Sequence, residues 1–97
     1  MYVRVTKVQL QPGKVDEAIR IYQDSVVPAL KQQAGYHSTQ LITDRASGAG
    51  MAITVWETEA ALQAGESGGF YQEQLAKFAP LLAAAPVREV YEQTVSA

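Results

Sequence analysis

The stretch GMAITVWETEAALQ, Gly50–Gln63, changes its period halfway along. From Met51 to Trp56 large side chains fall on both sides of an alternating segment, with Met51, Ile53 and Val55 on one and Ala52, Thr54 and Trp56 on the other. A period of two is that of a strand. Thr58 then precedes an alanine-rich run in which Glu59 comes first, the composition of a capped helix start with negative charge at its positive end. A strand substantial on both faces needs two covers, and the fold follows from asking what supplies them.

Working outward, Tyr2–Leu10 places β-branched residues at alternate positions and predicts a first strand, closed by Gln11, Pro12 and Gly13. From Lys14 the period becomes helical, with Val15, Ala18, Ile19, Tyr22, Val26, Ala29 and Leu30 on one face. Pro28 has no N–H for the carbonyl four residues back, so a kink or fresh start is expected near Val27. Gly35 is the natural stop. Tyr36–Asp44 predicts a second strand, paired as a hairpin with a third over Met51–Glu57. The helix begun at Thr58 should break in Gly65–Gly69, a possible mobile lip. Another helix begins near Phe70, with Tyr71, Leu75, Phe78 and Leu82 on its buried side, and Val87–Val95 predicts a fourth strand.

The order β-α-β-β-α-β predicts an α+β, ferredoxin-like sandwich over residues 1–97: a four-stranded antiparallel sheet with its helices on one face. Two helical regions cover only that face. The economical cover for the other is a second copy of the chain, so a homodimer is expected.

Composition narrows the function. The 97 residues are 47% hydrophobic and 19% charged, with a net charge of −2. Lys and Arg are scattered, which argues against a nucleic-acid partner. No cysteine is present, which removes disulfides, thiolate metal sites and cysteine nucleophiles. A single histidine leaves no visible metal site. The charged, alternating N-terminal segment reads neither as a signal peptide nor as a membrane span, so no membrane partner and a cytoplasmic location are expected.

Together, PGKVDEAIRIYQDSVVPALKQQAGYHS (Pro12–Ser38) and ITVWETEAAL (Ile53–Leu62) resemble the antibiotic-biosynthesis-monooxygenase family of dimeric α+β barrels. The likeness covers the Pro-Gly after strand one, the long helix, the Gly-aromatic opening of strand two and the strand-three tryptophan before Glu-x-Glu. It implies a pocket between sheet and helices and a dimer formed through the open sheet faces. It also implies, in the members that oxidise polycyclic phenols, oxygenation without metal or flavin, the deprotonated substrate itself supplying electrons to oxygen. Of the family's site positions, the tryptophan is kept as Trp56. The asparagine four residues earlier is Ala52, the tyrosine six residues later is Leu62, and the arginine of the last helix falls near Glu73. In the haem-degrading branch the asparagine, tryptophan and histidine positions fall at about Thr6, Ala64 or Gly65, and Gln74. Haem degradation is therefore not expected, and no cofactor is.

The candidate site gathers around Trp56, which reads either as a core plug or as a pocket wall; the roles overlap, since a wall is packed from behind. Hairpin pairing of residues 39 and 56 would put His37, Thr39 and Thr54 beside the indole. His37 is then a candidate catalytic base for a phenolic proton, against its plainer reading as a surface residue at a strand start. Tyr22 and Tyr71 lie on the inward faces of the helices and could reach the pocket or merely pack. Thr6 alternates with Arg4 on strand one. Thr6, at the position of the haem branch's asparagine, is expected to face the pocket; an inward Arg4 could pair with a substrate oxygen, but a surface position is the expectation for it. The expected ligand is a small aromatic or polyketide-like molecule, in an oxygenase or in a non-catalytic binding barrel.

Overall fold

A computed structural model describes residues 1–97. Strands β1 (Tyr2–Gln9), β2 (Tyr36–Thr43), β3 (Ala49–Trp56) and β4 (Val87–Glu92) form one antiparallel sheet in the order β2-β3-β1-β4. The two central strands thus come from different β-α-β units, the interlocked ferredoxin-like arrangement expected for this element order. Helical segments α1 (Val15–Ile21) and α2 (Val27–Lys31) follow β1, and α3 (Glu59–Ser67) and α4 (Phe70–Ala76) follow β3.

A fresh α-helical segment does start at Val27, with Pro28 in its first turn, but without a break in the helix. The helix runs on from α1 to α2 through a π-helical turn, Tyr22–Val26, in which the Val27 N–H donates to the Tyr22 carbonyl five residues back. Widening by one residue just ahead of the proline accommodates the missing donor without ending the helix.

Thr58 caps α3 as its sequence suggests: its hydroxyl accepts from the Ala61 N–H at 3.0 Å. The helix then passes through Gly65 and Glu66 and stops only at Gly68. Gly69, at φ 87°, takes the left-handed turn into α4. The break therefore falls at the end of the glycine-rich run, because helical hydrogen bonding tolerates one interior glycine more readily than two in succession. After α4 a 3₁₀ turn (Ala79–Leu81) leads to Leu82, which is extended and bridges Leu10 instead of continuing a helical face.

Two buried clusters fill the space between helices and sheet. One joins Tyr22, Val26, Leu30, Trp56 and Leu62, and the other joins Leu10, Val15, Ala18 and Leu81. No helix is long and apolar enough to cross a membrane.

Candidate functional site

The β2–β3 hairpin decides which side chains reach the interior. Thr39 pairs with Thr54, two residues from the register expected. A shift of two keeps the same faces together, so Thr39 still lies on the helix-covered side with Thr54. The pairing then jumps: Tyr36 opposes Trp56 while Ser38 opposes Val55, which makes His37 the extra residue of a β-bulge. The bulge turns the expected arrangement around. Tyr36 packs edge-on against Trp56, with ring centres 6.2 Å apart. His37 is exposed, with Nδ1 3.0 Å from the Ser38 hydroxyl. The histidine expected beside the indole is outside the interior altogether.

Between the two core clusters lies a cavity of about 80 Å³ that opens partly to solvent. Its floor is the inward face of the sheet, including Arg4, Thr6, Leu41, Ala52 and Thr54; Tyr22 and Val26 form one wall, and Phe70, Tyr71, Gln74, Leu75 and Phe78 of α4 and the turn after it form the other. Most of this surface is apolar, and several of its hydroxyls are paired. The Thr6 and Tyr71 hydroxyls are 2.8 Å apart. Thr54 is 2.9 Å from Thr39, whose hydroxyl is in turn bonded to that of Tyr22. Thr39 itself lines an outer groove between the first helix and β2, so it meets the cavity only through Thr54 and Tyr22. The cavity is small: an engineered cavity of about 150 Å³ holds a benzene ring. Even a single ring must therefore project through the opening or displace α4.

Trp56 is not part of the cavity wall. Its ring is 1% exposed and belongs to the cluster with Tyr22, Val26, Leu30 and Leu62, leaving Thr54 as the β3 hydroxyl that reaches the cavity. A strand-end position under α3 explains this, since Arg4 lies across the indole at 5.6 Å from its centre. The indole N–H has no hydrogen-bond partner. Leaving such a donor unmatched costs on the order of 1–3 kcal/mol. Burial also pushes the Tyr36 phenol above the usual tyrosine value, with Tyr22 adding to the effect.

Arg4 is the site residue whose placement the sequence reading missed. Instead of lying at the surface it is 4% exposed and lines the cavity. Its Nε donates to Glu66 at 2.9 Å and its Nη2 to the Leu62 carbonyl at 2.9 Å, and the guanidinium lies 4.4 Å from the centre of the Tyr71 ring. Glu66 is shared with Arg88, whose Nη1 is 3.2 Å from it. Alternation with Thr6 already signalled an inward-pointing Arg4; the carboxylate that makes burial tolerable lies 62 residues away and left no local trace.

Residues 1–73 match the profile of the antibiotic biosynthesis monooxygenase family. Two uncharacterised proteins of Mycobacterium tuberculosis are 39% and 38% identical to this chain over 64 residues, 66% of it. The chain spans little more than a quarter of the length of these curated relatives, 27% and 29%. Among solved structures, a monooxygenase from Streptomyces coelicolor in complex with nanaomycin D superposes with a TM-score of 0.77 at 17% identity, over 99% of this chain and 89% of that one. A cofactor-independent oxygenase from Streptomyces nogalater gives 0.77 at 11% identity, over 98% and 94%. At such identities the structural likeness speaks for the fold, whereas the sequence profile covers three-quarters of the chain, and the chain belongs to the antibiotic biosynthesis monooxygenase family.

Proposed function

We propose that this protein is a cofactor-independent oxygenase acting on a small aromatic substrate held between sheet and helices. The observation that carries the reading is the cavity itself: an apolar gap between two core clusters into which a cation and several hydroxyls project. A domain built only for stability would fill such a gap, since core voids cost free energy in proportion to their size. An apolar enclosure with a few convergent polar groups is the usual form of a small-ligand site. In the reaction proposed, a deprotonated phenol passes an electron to dioxygen. One oxygen atom enters the ring, and the other leaves as water with the two hydrogens lost when the quinone forms. Exclusion of water and fixed orientation of the ring are what the enclosure contributes.

One observation favours a second reading, a barrel that binds its ligand without transforming it. No imidazole lines the cavity, and the carboxylate nearest Arg4, Glu66, is already engaged by two arginines. An oxygenase on this scaffold must therefore receive its phenol already ionised or favour the ionised form electrostatically. Gln74 faces the cavity and is a poor iron ligand, so these residues do not fit haem chemistry.

The two readings separate on oxygen. Small phenols and hydroquinones should bind in both, as titration calorimetry reads. Only the oxygenase should then consume dioxygen and yield a product that has gained one oxygen and lost two hydrogens, the oxygen carrying the isotope of labelled dioxygen. Binding without uptake would leave the non-catalytic reading.

We also infer that a second copy covers the bare sheet face. Val3, Val5, Met51, Ile53 and Val55 lie together there, opposite the helices. Interfaces that stabilise such pairs bury on the order of 1,500 Å².

A further inference from the structure

We propose that Arg4 is an anion anchor, and that the ligand of the cavity carries an ionised oxygen, carboxylate or phenolate, which the free end of the guanidinium receives. This rests on the reading of the cavity as a ligand site and adds the charge of what it binds. A guanidinium has five N–H donors. Arg4 uses one at Nε on Glu66 and one at Nη2 on the Leu62 carbonyl, and its Nη1 donates to no protein atom. The residue is 4% exposed and is part of the cavity wall. Nη1, without a protein partner, is not fully enclosed.

The local charge points the same way. Arg4 from β1, Glu66 from α3 and Arg88 from β4 meet as two cations on one carboxylate, leaving a surplus of one positive charge. Tyr71 from α4 adds a phenol hydrogen-bonded to Thr6, and the neighbouring β3 positions, Thr54 and Trp56, carry no charge. A cation held in apolar surroundings, with its position fixed by two hydrogen bonds and an aromatic face, is already organised for an oxyanion. Glu66 and Leu62 orient the fork while its remaining donors stay free. The Tyr71–Thr6 pair marks the adjoining polar edge, and the rest of the cavity suits a ring.

The test uses three single-ring probes of similar size on the whole chain: 4-nitrophenol, 4-nitrobenzoate and neutral 4-nitroanisole. Binding is followed by titration calorimetry, and ionisation of the phenol by its colour. The two anions should bind at least about tenfold more tightly than the anisole, and bound 4-nitrophenol should ionise about one pH unit lower than free. A preference confined to nitrophenol or to nitrobenzoate identifies the phenolate or the carboxylate as the group received. Arg4→Met should erase both effects, and Arg4→Lys should restore only part of them because the fork is lost. Glu66→Gln leaves the arginine less neutralised and should strengthen anion binding several-fold, which keeps the proposal testable if Arg4→Met does not fold. Equal binding of all three probes with no colour shift overturns the anchor and leaves the cavity reading intact. Silence from all three, the anisole included, removes the cavity reading and the anchor with it.

Discussion

Ile53 and Thr54 are neighbours in β3 and face opposite sides of the sheet, and the two sides are composed the wrong way round for a self-sufficient domain. The side beneath the helices carries Arg4, Thr6, Thr39 and Thr54, with Trp56 at its end. The side without helices carries Val3, Val5, Met51, Ile53 and Val55, with the Lys7–Glu89 ion pair, Ser38 and Gln40 beside them and the more exposed Ile42, Val87 and Tyr91 at its margins. An antiparallel sheet with one wet face ordinarily shows apolar residues inward and polar residues outward. Here the covered face adds hydroxyls and a cation to Val8, Leu41 and Ala52, and the uncovered one keeps a row of aliphatic side chains at its centre. On the readings proposed above, the covered face is a ligand site and the bare face the surface that a second copy covers.

The strongest way to break this contrast is at Trp56, where the covered face is most core-like. Trp56→Ala should cost about 4 kcal/mol in a urea titration, as large aromatic truncations in cores do. Trp56→Phe should stay within about 1 kcal/mol of the parent, because lost area is offset by removal of an unpartnered N–H. A drop as large as that of the alanine variant would mean the indole N–H is satisfied after all, by water.

On the bare face, Ile53→Asp places a charge among aliphatic neighbours. If a second copy covers them, the dimer should lose on the order of 3 kcal/mol and sediment as a monomer at micromolar concentration. Unchanged sedimentation before and after the substitution would show that this face is not the interface. The closeness of the helical cover is tested at Gly35, which has φ 79° and where a Cβ would stand 2.4 Å from the Ala61 Cβ. Gly35→Ala should destabilise by roughly 2–3 kcal/mol, from left-handed strain and the clash with α3 together. Leu75→Ala removes a half-buried wall of the cavity. It should cost about 1–2 kcal/mol while improving the binding of two-ring ligands over one-ring ones; a wall that collapses inward instead would weaken both.

The strand alternation of Tyr2–Gln9 and Ala49–Trp56 made the fold and its two faces legible, because period and face are local properties of the chain. Thr6, Tyr22, Thr54 and Tyr71 could be assigned to the interior on the same basis, and all four line the cavity. What failed was non-local or irregular. A single extra residue at His37 exchanged it with Tyr36 at the Trp56 position, and nothing in Tyr36–Thr39 announces a bulge. Arg4 looked like a surface residue because its burial depends on Glu66, on another element. Trp56 was read as wall or plug, and the choice depended on Arg4 lying over it.

The smallest expected effect separates the covered face from solvent by pH. Burial raises the Tyr36 phenol above its ordinary value. Tyr2 is raised as well, chiefly by its hydrogen bond to Glu92 and by that carboxylate's charge. Below a pH of about 10 both phenols are neutral in folded and unfolded chains, and neither affects stability. As the pH rises past that value the unfolded chain ionises first and is favoured, so stability should fall until the folded-state values are passed. Tyr36→Phe keeps the ring that meets Trp56 edge-on and removes the ionisation. Its urea midpoint should therefore decline less steeply than the parent's between about pH 9 and 11, with Tyr2→Phe removing part of the remaining slope. Parallel declines for the parent and Tyr36→Phe would show that the phenol ionises as freely in the folded chain as in the unfolded one. Tyr36 would then be open to water, and the bulge would not have carried it under the helical cover.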